Sequence, residues 1–125
     1  MLLKNVEIYN FGENLKENFD NLKRVKMPAK VGFYFRQNAK LLFDRAKEIE
    51  VYRCELIKQY GVYEEKENKY TFTEENLNKL NEEIKNLMQL EQEISIKTIS
   101  LSLIENVDLT LSQLEALEFM ISEEE

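Results

Sequence analysis

Ile8, Phe11, Leu15, Phe19 and Leu22 follow one another at steps of three and four, which gathers them into one apolar stripe along a helix. Asn5 stands where such a helix would be capped. Gly12 weakens it, by roughly 1 kcal/mol against alanine. Pro28 marks the next boundary, because proline pushes Met27 toward extended backbone and fits the first turn of a new helix. From there Phe35, Ala39, Leu42, Ala46, Ile49, Arg53, Leu56 and Tyr60 alternate steps of four and three, a heptad-like seam broken only by Arg53. The pattern predicts a helix over about 28–60, near 50 Å long at about 1.5 Å per residue. Gly61 follows as a left-handed stop.

The period then changes. Val62 and Tyr63, and again Tyr70, Thr71 and Phe72, flank a polar run and predict a β-hairpin. Thr73 is placed to cap a third helix, with Leu77, Leu80, Ile84, Leu87 and Met88 as its apolar stripe. Residues 94–104 alternate apolar and polar with one slip near Thr98, which predicts a further strand with a bulge or bend there. Thr110 and Gln113 form a capping-box start for a last helix carrying Leu114, Leu117, Phe119 and Ile121, and the acidic tail from Ser122 to Glu125 reads as frayed. The order α-α-β-β-α-β-α makes a predominantly helical α+β fold in a single domain spanning 1–125. It has a long central helix (about 28–60), a β-hairpin plus one further strand, and three shorter helices.

A seam that long outlasts what a domain of this size needs to cover it. Phe35, Ala39, Leu42, Ala46, Ile49, Arg53 and Leu56 are therefore the candidate contact between copies in a homo-oligomer. Arg53 is then either a register-setting charge paired with the acidic half of the chain, or a mark that the helix has left the core.

Composition narrows the chemistry. Of 125 residues, 43% are hydrophobic and 33% charged, enough for a core beneath a polar surface. No stretch approaches the eighteen or so apolar residues that span a bilayer, and the start is too short and too soon charged for a signal peptide. The single cysteine, Cys54, forms no internal bridge and reads as core filler in an intracellular protein. Histidine is absent, which removes Ser–His and Cys–His nucleophile activation and the commonest metal ligand. No P-loop, dinucleotide or zinc-protease motif is present. The expectation is a binding protein, not an enzyme, with no catalytic residues, cofactor or metal.

Charge is unevenly spread. Residues 1–60 carry 12 Lys/Arg against 8 Asp/Glu, whereas residues 61–125 carry 5 against 16. The acidic total, a net charge of −7, argues against coating duplex DNA. The cations crowd the start of the long helix. Lys23, Arg24 and Lys26 precede it, and Lys30, Tyr34, Arg36, Asn38 and Arg45 lie along it. Basic side chains at a helix start, with Tyr34 as a stacking platform, suit a phosphate-bearing or otherwise anionic partner. The alternative is that these cations cover apolar flanks and pair with Glu48, Glu50 or the acidic half.

Three segments together resemble a known family. KNVEIYNFGENL, then MPAKVGFYFRQNAKLL leading into a long helix closed by a lone glycine, and finally IENVDLTLSQLEALEFMI are similar to a family of small uncharacterised proteins encoded by phages and prophages of low-GC Gram-positive bacteria. The resemblance covers most of the chain and implies a viral accessory protein acting in the host cell cytoplasm. It supplies no catalytic residues to carry over. Two roles fit. One is an anti-defence interaction protein that blocks a host defence protein or sequesters a small anionic nucleotide signal. The other is a virion-morphogenesis factor, such as a tail or head assembly chaperone, that holds a phage protein. Neither involves a membrane.

Overall fold

The computed structural model describes residues 1–122. Its elements run β1 (Leu2–Lys4), α1 (Asn5–Lys23), α2 (Ala29–Tyr60), β2 (Val62–Glu64), β3 (Lys69–Thr71), α3 (Glu74–Gln89), β4 (Glu91–Glu93), β5 (Ile99–Ser100), α4 (Leu111–Leu117) and β6 (Ile121–Ser122). Short 3-10 turns at Leu101–Ile104 and Glu118–Met120 bracket α4. The fold is α+β and predominantly helical, organised on one unbroken 32-residue helix, α2.

Pro28 opens α2 from extended backbone (φ −54°, ψ 145°), as its ring requires. The helix α1 folds back antiparallel on its first half. Gly12 lies against Ala46, where an added Cβ would sit 3.3 Å from the Ala46 Cβ, and Phe19 stacks on Phe35 and Phe43 at 5.6 and 5.8 Å between centroids. Gly12, whose only sequence reading was a weakened helix, is thus the point where the two backbones come close. Helix α3 covers the second half of α2, tied at its start by Asn76 Nδ2 donating to the Tyr60 carbonyl at 3.1 Å. One core joins Ile8, Leu15 and Leu22 of α1, Val31 to Leu56 of α2, Leu80 and Leu87 of α3, and Ile94, Ile99, Ile104, Leu117 and Met120 of the C-terminal third.

The hairpin forms as expected, with Val62↔Thr71, Tyr63↔Tyr70 and Glu64↔Lys69 in antiparallel register. Its loop closes through Asn68 at φ 52°, a left-handed position that asparagine tolerates. Thr73 and Thr110 cap α3 and α4, accepting from the N–H groups of Asn76 and Gln113 at 3.1 and 3.2 Å.

Several expectations change. Of the strand expected over residues 94–104 only Ile99–Ser100 forms, and a pairing just before it was not expected. Glu91–Glu93 pairs antiparallel with Leu2–Lys4, Ile99–Ser100 pairs parallel with Ile121–Ser122, and residues 101–104 turn as 3-10 helix. The alternation sorts faces only in part, burying Ile94 and Ile99 while Leu101 is exposed, and a ladder needs a continuous neighbour. Between the two short pairings the side chain of Asn38 takes up the Lys97 backbone instead, at 2.8 and 2.9 Å. Ser122, expected to fray, pairs with Ser100; the rest of that tail lies outside the described residues.

Asn5 is not a cap. Its position is the first residue of α1, and the Lys4 N–H donates to Glu7 Oε1 at 3.0 Å. Asn5 is buried, donates from Nδ2 to the Leu87 carbonyl at 2.8 Å and accepts from Gln92 at 2.6 Å, so it ties α1 to the end of α3. Gly61 is not left-handed: its φ is −102° and ψ 164°. Glycine is needed there for space, since a Cβ would meet the Phe72 ring at 2.8 Å and the Ile57 carbonyl at 2.9 Å. Finally, the seam of α2 is occupied within the chain. Phe35, Ala39, Leu42, Ile49 and Leu56 are buried and Ala46 is half-buried, so no apolar seam is left for a second copy to cover.

Candidate partner-binding face

The cations at the start of α2 stay on the surface because the opposite face of the same helix supplies the core. Residues 21–43 hold six Lys and Arg and no Asp or Glu. Arg24, Lys26, Lys30 and Arg36 are exposed, and among the described residues none of them has a carboxylate within ion-pair distance. Lys23 is partly engaged, with Asp20 at 4.0 Å and its ammonium 5.2 Å from the Phe19 ring. Arg45 lies almost three turns beyond Tyr34 and is held near Glu48 at 3.9 Å, so it stands apart from the cluster. Lys40, on the exposed side, pairs with Asp44 at 2.9 Å.

Tyr34 gathers two ammonium groups. Lys30 Nζ lies 5.8 Å and Lys97 Nζ 5.4 Å from its ring centroid, each attracted by the negative face of the ring. Lys97 belongs to the acidic half of the sequence and was not among the expected site residues. It arrives through Asn38, which is 1% exposed and grips the Lys97 backbone with both ends of its amide. Asn38, expected to touch a partner, is therefore a buried clamp that positions one of the cations. Periodicity placed it in line with Tyr34, but an asparagine within a helix reads the same whether it faces water or a distant backbone.

Phe33 is the other residue that sequence reasoning passed over. At 60% exposed it is an uncovered aromatic, and at spacings of three and seven it shares the outer face of α2 with Arg36 and Lys40. The signal was present in the quoted stretch. Tyr34 was favoured for its ring, whereas the more exposed ring belongs to its neighbour. The assembled face is cationic and aromatic.

Arg53, the irregular member of the seam, is half-exposed and paired within its own helix. Its Nε donates to Glu50 Oε2 at 2.9 Å and its Nη2 to Oε1 at 2.6 Å. These bonds hold the Glu50 carboxyl below the usual carboxylate range and raise the Arg53 guanidinium above its ordinary value. The partner is one turn away, not in the acidic half. Cys54 is half-buried on α2, with its thiol 3.8 Å from Glu50 Oε1.

The concave surface lies elsewhere. A groove of about 600 Å³ follows the α1–α2 crossing, lined by Tyr9, Gly12, Glu13, Lys16, Phe43, Ala46, Lys47 and Glu50. A depression of about 190 Å³, lined by Tyr9, Ile49, Glu50, Arg53, Ile84 and Met88, shares two of its residues. The charges on the groove alternate in sign, which suits no single anion. Among the described residues no cluster of acidic and cysteine side chains is arranged to hold a metal ion. Among them, too, no helix is long and apolar enough to cross a membrane. Comparison of the chain with protein-family models, with curated proteins and with solved structures gives no match.

Proposed function

We propose that this chain is a non-enzymatic phage accessory protein acting in the host cytoplasm, where its cationic face docks on an acidic surface of a host defence protein and blocks it. The observation that carries the reading is the acid-free run 21–43, in which the exposed Lys30 and Arg36 lie on α2 beside Phe33 and the exposed Arg24 and Lys26 lead into it. Surface cations left without carboxylate partners accelerate and orient encounter with a negative surface. Phe33 adds an apolar anchor amid them. A protein surface suits this geometry better than a free nucleotide, because small ligands favour concave sites that bury most of their area. The two grooves described above lie away from Tyr34 and Lys97. The role of assembly chaperone loses its intended surface, since the apolar seam it would offer is core.

Reversing Lys26, Lys30 and Arg36 to glutamate tests the reading. These side chains are exposed, so the helical circular dichroism should persist while the partner captured by the wild-type protein in infected cells is lost. Capture undiminished by the reversals contradicts the proposal. A nucleotide found bound in native mass spectra, and absent from the reversed protein, would replace the acidic protein surface by that ligand.

A further inference from the structure

The two ends of α2 carry opposite charge. Against the six cations and no acids of residues 21–43, residues 62–75 hold five glutamates and two lysines at the other end of the rod. That second end is the hairpin β2–β3 and the start of α3, and all five of its glutamates are exposed. It also presents Tyr63, 47% exposed and packed on Tyr70 at 5.3 Å between centroids, as the cationic end presents Phe33.

Within one molecule these ends cannot neutralise each other. From Arg36 to Tyr60 the unbroken helix holds them apart by roughly 35 Å at about 1.5 Å per residue. That is several times the screening length of about 8 Å at physiological salt. A lateral dimer through the apolar seam is also closed off, because that seam is the core. We infer that a second copy of this chain is the occupant the charges select: the hairpin end of one molecule docks head-to-tail on the Phe33–Arg36 face of the next. Tyr63 then meets Phe33, while Glu65, and Glu67 in exchange for its in-chain partner Lys69 at 3.2 Å, meet Lys26 and Arg36. Such an interface joins two different patches, so it propagates into a ring or an open chain and does not stop at a symmetric pair. Two-stranded hairpins are marginal alone, and docking would also bury an exposed face of this one.

Sedimentation velocity on the full-length chain tests this. Association should grow with protein concentration at about 20 mM salt and vanish near 500 mM, where the screening length is a few ångströms. Lys26→Glu with Arg36→Glu sets like charge against Glu65 and Glu67 at the contact and lowers the net charge of residues 21–43 from +6 to +2, and Glu65→Lys with Glu67→Lys makes the hairpin end positive. Each double variant alone should stay monomeric, and an equimolar mixture of the two should associate again. A wild-type protein that is monomeric at every concentration in low salt overturns the inference. So does association that survives in either variant alone, or a dimer indifferent to salt. The hairpin-end variant separates this from the proposed function: it should lose self-association yet still capture the host partner, because its cationic face is intact.

Discussion

Among the described residues the buried polar side chains are Asn5 and Asn38, and they act alike. Each uses a primary amide as donor and acceptor at once, joining a helix to backbone far away in sequence. Asn38 is the more consequential, because it satisfies the Lys97 N–H and carbonyl and so fixes the backbone that carries the ammonium facing Tyr34. Replacing Asn38 with alanine leaves both backbone groups without that partner in a buried setting, and each orphaned group costs about 1–3 kcal/mol. Asn38→Ala should therefore lower unfolding free energy by about 2–4 kcal/mol in a denaturant titration, with water entering the gap accounting for the lower bound. A loss below about 0.5 kcal/mol, the range of an ordinary surface substitution, would show that the clamp is not a structural tie. The sequence marked Asn38 for a binding face and not as a buried tie. A polar side chain at a helical step is read as facing water, and only the arrival of residue 97 gives it another role.

Among the elements, the helices were legible and the strands much less so. The stripes Ile8–Leu22 and Phe35–Leu56 report burial on one side of a helix, a local property that spacing records directly. The strands depend on partners that lie far off and are two or three residues long: Leu2–Lys4 for residues 91–93, and Ile121–Ser122 for residues 99–100. Alternation marked Ile94 and Ile99 as inward but equally Leu101, which is 53% exposed, and it did not reveal that only residues 99–100 of the stretch pair as strand. The hairpin was readable because both of its strands are adjacent in sequence. The α1–α2 crossing was legible as two stripes and not as a distance. Gly12 sets that distance, and its small size matters more than its poor helix propensity. Gly12→Leu must push α1 from Ala46, and overpacking of this kind costs about 1–3 kcal/mol. The thermal midpoint should fall accordingly. An unchanged or raised midpoint would mean that the helices are free to slide apart there.

At the scale of the whole molecule, the long helix has an inner side, an outer side and two ends. Its length suggested a reach toward a partner, with the apolar seam as the contact. The seam is instead consumed by α1 and α3, and what remains for partners is the charged outer surface. The cationic cluster was legible as composition. Its boundaries were not, because they are set by which cations lack acids nearby, by the arrival of Lys97, and by the departure of Asn38 into the core. Binding through charged ends of a rod whose apolar side is sealed is the central claim, and the seam tests it most directly. Leu42 sits fully buried at the middle of that seam. The decisive measurement is the unfolding transition of Leu42→Asp, followed by circular dichroism against denaturant. The account predicts that cooperative unfolding is lost, because a carboxylate is forced into a core with no partner for it. A Leu42→Asp protein that unfolds cooperatively near the wild-type midpoint, and differs only in remaining monomeric, would show that the seam serves association between copies and would contradict the account.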